Sequence, residues 1–177
     1  MKKTAAQSRA RVHARTSAAR AVTIRHIQHS DAELLLDMFR GLSPRTHYLR
    51  FMRPAAALSE RAEREEMARL AAPGPHQITL IALAGARAVG LAQLVRDAGD
   101  SSSAEVALLI HDAYQGEGLG TTLLDLLAQS AMACGIARLQ LNTLAENRPI
   151  QRAARRLGLP VASQTSAGET TLTISVL

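Results

Sequence analysis

From residue 21 onward, alternation and helical periodicity divide the chain into short, regularly spaced elements. Residues 21–27 read as a first strand. Ser30, with Glu33 three positions later, forms a capping-box signature for a helix whose Leu34, Leu35, Met38 and Phe39 share one face and which Gly41 ends. Ser43 before Pro44 predicts a cap and a proline in the first turn of a short helix through Tyr48, Leu49 and Phe51. Ser59 caps another helix to about Ala71. There Glu60/Arg64 and Glu65/Arg69 stand four apart, as suits a solvated face.

After the loop AAPGPHQ, the near-continuous apolar run from Ile78 to Ala84 predicts a buried strand. Gly85-Ala86-Arg87 then predicts a hairpin turn, and residues 88–96 the returning strand. A strand beginning at Ala104 passes through a glycine-rich loop into a helix from about Gly118 to Cys134. Leu119, Leu123, Leu126, Leu127 and Cys134 form its apolar stripe, and Gly135 terminates it. Residues 137–143 read as a strand and Asn147 caps a short helix with Pro149 in its first turn, closed by Gly158. Strands over 161–165 and 170–176, joined at Ala167-Gly168, complete a single α/β layer domain.

Composition adds an asymmetry to this pattern. Six of the 21 Lys and Arg residues precede Ala21 with no acid among them, so the rest of the chain carries 15 basic against 15 acidic residues. Residues 1–20 lack apolar periodicity and read as a disordered tail that is dispensable for catalysis. An acidic partner or an organellar transit role are the alternatives for it. Residues 21–177 form the expected domain. The sequence shows no secretory h-region or membrane-spanning run, and its single cysteine, Cys134, fits a reducing cytoplasm, the expected location. Two Phe, two Tyr and no Trp leave few stacking platforms for nucleic acid. The histidines lack metal-ligand spacing, so no metal is expected.

The chemistry concentrates in Gln115-Gly116-Glu117-Gly118-Leu119-Gly120. Glycines let backbone N–H groups approach phosphate oxygens, and the start of the following helix adds its dipole, so the segment predicts a phosphate-bearing ligand such as a coenzyme. A nucleotide P-loop is a poor fit, because Gly120 is followed by Thr121-Thr122 and there is no lysine beyond Lys3. A dinucleotide fingerprint fits no better, since its third glycine and early βαβ unit are missing.

The Gln-x-x-Gly-x-Gly pattern after an apolar strand, with Asn147-Arg148-Pro149 and Arg155-Arg156-Leu157-Gly158-Leu159 downstream, resembles the GNAT superfamily of acyl-CoA N-acyltransferases over Val22 to Val176. Ser43-Pro44-Arg45, Tyr48-Leu49-Arg50-Phe51 and Ala104-Glu105 are similar to the catalytic domains of bacterial protein lysine acetyltransferases. The resemblance implies a mixed, mostly antiparallel twisted sheet of about seven strands flanked by about four helices. It implies acetyl-CoA as cosubstrate, with Gln115, Gly116, Glu117, Gly118, Leu119 and Gly120 around the pyrophosphate and Thr121 and Thr122 at the helix start. Backbone groups near Leu109 and Ile110 are expected to pair with pantetheine, with Ile110 N–H as oxyanion donor. Asn147 is expected to contact the pantetheine arm, to cap its helix, or both.

The implied reaction is attack of a primary amine, a protein lysine or a small-molecule amine, on the thioester. A lysine with a pKa of about 10.4 must lose a proton at a cost of roughly 4 to 5 kcal/mol at neutral pH, which makes a base useful. The resemblance implies that role for Glu105, whose bland alternative is an exposed carboxylate at a strand end. Three departures stand out. Ala154 replaces a tyrosine that many members use as general acid, Glu117 replaces a common Arg or Lys and is expected to repel the pyrophosphate, and Leu159 replaces a phenylalanine. The first two leave room for a catalytically weak acyl-CoA-binding domain. Tyr114 is expected to pack under the loop, His111 to be a surface residue, and Arg148, Arg152, Arg155 and Arg156 to form a basic outer face on the last helix.

Overall fold

A computed structural model describes residues 11–51 and 59–177. Eight strands form one sheet: β1 (Val12–Arg15), β2 (Ala21–His26), β3 (Gln77–Ala84), β4 (Arg87–Arg96), β5 (Ser103–Ile110), β6 (Arg138–Leu144), β7 (Val161–Ser166) and β8 (Glu169–Ser175). Their order is β1-β2-β3-β4-β5-β6-β8-β7, antiparallel throughout except between β5 and β6. Five helices cover the faces: α1 (Ala32–Arg40), α2 (Pro44–Phe51), α3 (Glu60–Ala71), α4 (Leu119–Ala133) and α5 (Arg148–Arg155). The expected mostly antiparallel α/β layer forms, with one strand more than the seven read from the pattern and with helices at the five places the periodicity marks.

The additional strand comes from the expected tail. Val12–Arg15 pairs antiparallel with residues 21–24, so among the described residues the sheet starts ahead of Ala21. The alternation V-H-A-R is only four residues long and mostly exposed, and β1 is held chiefly by backbone pairing to β2, with Ala14 against the core and a 3.3 Å hydrogen bond between His13 Nδ1 and Thr23 Oγ1. Residues 1–10, with Lys2, Lys3 and Arg9, lie outside the described residues.

Two apolar clusters sandwich the sheet. One packs α4 on β3–β6 and β8, around Leu123, Leu124, Leu127, Leu139 and Ile174. The other packs α1 and α3 on the opposite face, around Leu35, Phe39, Met67, Leu70 and Ile81. α2 is tied to the second cluster by His47, whose ring meets Phe39 edge-on with centroids 4.3 Å apart.

Several caps form as expected. Ala62 N–H donates to Ser59 Oγ and Thr46 N–H to Ser43 Oγ. Others differ. The turn before α1 is closed by Gln28 N–H donating to Asp31, itself held by Arg25 at 2.7 and 2.8 Å, while Glu33 pairs with Arg64 of α3. The Ser30/Glu33 box is therefore replaced by one that shields a buried carboxylate. On α3 the ion pairs are Arg61–Glu65 and Arg69–Glu66. Cys134, expected in the core, is exposed, because α4 ends at Ala133 and the chain leaves the apolar stripe there.

Candidate active site

The site begins where the sheet opens. β5 and β6 pair only at Ser103↔Arg138, Ala104↔Leu139 and Glu105↔Gln140. That end is pinned: Ser102 O accepts from the amides of Ala137 and Arg138, and Arg138 donates to Asp100 at 2.7 Å. Beyond Glu105 each strand stays with its other neighbour, β5 with β4 to Ile110 and β6 with β8 to Leu144, and the two halves part.

The ladder decides which backbone groups face the opening. His111 N–H donates to Val89 O and Asp97 N–H to Ser103 O at the two ends of the β4–β5 pairing. By the alternation of antiparallel hydrogen bonds, odd-numbered residues of β5 turn their amides to β4 and even-numbered residues turn them away. The Ser102 carbonyl, bonded to β6, fits that parity. Ile110 and Leu108 therefore direct N–H groups into the opening, whereas Leu109 commits its amide to β4 and contributes only to the wall. The Ile110 carbonyl accepts from Gln115 Nε2 at 3.0 Å, which fixes the strand end against the loop.

A cavity of about 220 Å³ runs through the opening. Gln115, Gly116, Gly118, Gly120 and Thr121 line it from the loop, Asn147, Arg152 and Arg156 from the α5 region, and Thr46, Leu49 and Arg50 from α2, which meets the loop at Thr46. Gly116 and Gly118 have φ of +76° and +88°, a region costly to residues with a Cβ. Thr122 N–H is the first amide bonded inside α4, to Gly118 O, so those of Gly118 to Thr121 are free of the helix ladder. The Thr122 hydroxyl turns back to the same carbonyl at 3.3 Å and is used within the helix.

The remaining expected residues divide. Asn147 is buried beside the cavity and donates to Thr143 Oγ1 at 3.0 Å, making no side-chain cap. Ala154 is fully buried in the α4 cluster, while its neighbour Ala153 lines the cavity. Glu117 pairs with Arg20 at 3.3 Å, so the loop carboxylate has a cation beside it. Tyr114 packs on the core and meets His111 edge-on, and His111 Nδ1 accepts from Ala113 N–H. Leu159 packs at the core margin, and the four arginines of the α5 region are exposed. Glu105 is exposed at the last position where β5 pairs with β6. Burial pushes the Arg50 guanidinium below its ordinary value against the opposing charges of Glu66 and Glu105, which places Arg50 within electrostatic reach of both.

Asp112 had no signal in the sequence, yet it is the hub that joins α2 to the loop. Its carboxylate accepts from Ser43 N–H at 2.9 Å, Ser43 Oγ at 2.6 Å and Thr46 Oγ1 at 2.7 Å. Thr46 in turn accepts from Gln115 Nε2 at 3.0 Å. Burial raises the Asp112 pKa, but the hydrogen bonds from Ser43 and Thr46 outweigh it and hold the carboxyl below its usual value.

A half-open sheet with free strand amides, ending in a glycine loop at a helix start, fits a coenzyme with a peptide-like arm and a pyrophosphate. The fold and site define a coenzyme-dependent acyltransferase. Residues 21–160 match the family model described as an acetyltransferase (GNAT) domain, and the chain belongs to that family. The domain is that of the GNAT acetyltransferases, whose cosubstrate is acetyl-CoA. The chain is 36% identical over 67 residues to acetyltransferase Pat of Mycolicibacterium smegmatis, a match covering 38% of this chain and 20% of that protein. The chain thus matches about a fifth of that relative's length. The GNAT domain of S. lividans PAT superposes with a TM-score of 0.82 at 24% identity, over 93% of this chain and 96% of that one. The yncA structure from Salmonella typhimurium, described with its cofactor acetyl-CoA, superposes with a TM-score of 0.64 at 20% identity, over 88% and 94%. Among the described residues no helix is long and apolar enough to cross a membrane, and no cluster of His, Cys, Asp or Glu is placed to hold a metal ion.

Proposed function

We propose that the enzyme moves acetyl directly from acetyl-CoA to the side-chain amine of a protein lysine. The observation that carries this reading is the opening beyond Glu105, where Leu108 and Ile110 turn their amides away from β4, between the glycine loop and α2. In this reading Gln115 to Gly120 and the first amides of α4 hold the pyrophosphate, with Thr121 beside them. Leu108 N–H and Asn147 hold the pantetheine arm, and Ile110 N–H faces the thioester oxygen as negative charge grows on it.

Glu105 lies five residues before Ile110 on one strand, about 17 Å along the extended chain, so in this reading a chain of several waters carries the proton of the incoming ammonium to it. The neutral nitrogen forms the bond to the acetyl carbon as the carbon–sulfur bond breaks. With Ala154 in the core, the thiolate takes its proton from water or from the substrate ammonium. The motifs shared with protein lysine acetyltransferases, together with similarity to two proteins named Pat, support lysine as acceptor.

The test is acetyl-CoA consumption against a panel of proteins and small amines, with mass spectrometry of the products. Acetylated lysine in a protein is the expected outcome. Turnover confined to small amines would reassign the acceptor, and tight coenzyme binding without turnover on any amine would overturn the catalytic reading. The pairing of Glu117 with Arg20 supports the active reading, because it offsets the repulsion expected between that carboxylate and the pyrophosphate.

A further inference from the structure

The segment ahead of β2 lies against the glycine loop. Ser17 N–H donates to Glu117 O at 3.0 Å. Arg20 Nη1 donates to Ala113 O at 2.7 Å, Nη2 pairs with Glu117 Oε1 at 3.3 Å, and the guanidinium carbon sits 4.6 Å from the centre of the Tyr114 ring. Together these contacts hold the loop from Ala113 to Glu117, the approach to Gly118. The segment is itself a closed turn. Thr16 N–H donates to Arg20 O, Ala19 N–H to Thr16 O and Arg20 N–H to Thr16 Oγ1, with Thr16 buried. β1 and β2, paired to each other, anchor its two ends.

Glu117 is the reason such a segment matters. Its side chain is only 15% exposed, and Oε2 is buried with no hydrogen-bond partner among the described residues. A carboxylate in that setting, beside amides suited to phosphate, is unfavourable unless a cation neutralises it. Arg20 supplies the cation from the N-terminal side.

We propose that residues 16–20 brace the coenzyme loop, and that Arg20 is a positioning residue for acetyl-CoA acting through Glu117. This rests on reading Gln115 to Gly120 as the coenzyme loop. A glycine-rich loop must be ordered when ligand binds, and holding it beforehand lowers that cost. Glu117 is then the loop's handle, and its charge reaches the coenzyme already balanced.

The test uses the full chain carrying Arg20→Ala, Arg20→Lys, Glu117→Gln or the double change Arg20→Ala/Glu117→Gln. Acetyl-CoA affinity is measured by calorimetry and compared with KM, kcat and apoprotein Tm. Arg20→Ala and Glu117→Gln should each weaken acetyl-CoA about five- to tenfold, Arg20→Ala with kcat at saturation within about twofold, and the double variant should be no weaker than the worse single one. Arg20→Lys, which keeps the charge, should recover part of the loss. Tighter binding by Glu117→Gln, the result if Glu117 merely repels phosphate, would overturn the brace. So would additive losses, or a lowered Tm with unchanged affinity. A wild-type protein that fails to bind acetyl-CoA would instead overturn the coenzyme-loop reading, and the brace with it.

Discussion

The two walls of the cleft, the glycine-loop end and the α2 end that adjoins it at Thr46, are built from different materials. The glycine-loop end is continuous in sequence from Gln115 to Thr122 and offers mostly backbone, namely amides left free by a helix start and glycines at φ values that other residues resist. The α2 end is made of side chains gathered over long separations. Ser43 and Thr46 reach Asp112 across 69 and 66 residues, and Arg50 comes into the field of Glu105. A site made of local backbone tolerates change in most side chains but not in its glycines. One made of distant side chains is loosened when a single hub is lost.

Glu105→Gln separates the two ends most widely. Loss of a general base costs on the order of 10² in rate, so kcat should fall about 100-fold while calorimetric affinity for acetyl-CoA stays within about twofold. An unchanged kcat over a full pH series would remove the base and leave the α2 end with a binding role alone. Gly118→Val should act in the opposite sense. Forcing a β-branched residue to φ +88° costs about 1 to 2 kcal/mol, equivalent to roughly tenfold, and the loss should fall on acetyl-CoA affinity. Full affinity in this variant would mean that the loop does not depend on its left-handed turn.

Asp112→Asn probes the junction. Replacing a charged acceptor of three hydrogen bonds by a neutral one should cost about 1 to 2 kcal/mol of stability and lower Tm by roughly 2 to 8 °C. The expected kinetic signature is a fall of about fivefold in kcat/KM for the amine, larger than the change in acetyl-CoA KM. Equal effects on both substrates would show that the ends of the cleft are one mechanical unit, and the contrast between them would dissolve.

That contrast also explains what could be read ahead of the structure. The glycine loop, the hairpin at Gly85-Ala86, the Ser43 and Ser59 caps and the run of strands are encoded within a few residues of each other, where turn chemistry and periodicity operate. β1 was missed because V-H-A-R is short and sits in a stretch rich in Ala and Arg, so composition masked its alternation. Extending the α4 stripe one position past the end of the helix misplaced Cys134. Asp112 and Arg20 were invisible for a stronger reason. Their partners lie 66 to 97 positions away, and no local pattern distinguishes an aspartate that gathers three donors from one in solvent. Leu109 was paired with Ile110 as a coenzyme contact because only the observed β4–β5 register sets the direction of each amide.

The smallest expected effect is on acid stability, and its sign follows from two carboxylates, one at the site and one away from it. Burial raises both, but Ser43 and Thr46 at Asp112, and Arg25 with the Gln28 amide at Asp31, reverse the shift and leave each folded pKa below its unfolded value. Each group therefore adds stability that is complete above the unfolded value of about 3.9 and is lost as pH falls from there through the folded pKa. Wild type should lose stability on acidification below about pH 4, and Asp112→Asn should show a shallower loss with less to lose at neutral pH. The remaining slope belongs in part to Asp31, on the far side of β4 and remote from the cleft. Acidification should therefore lower the Tm of Asp112→Asn further through Asp31, an effect of Asp31 protonation separate from the cleft hub. If Asp112→Asn instead removed the whole acid dependence, Asp31 would carry none of it, and the hub at the α2 end would be the acid-sensitive joint of the fold.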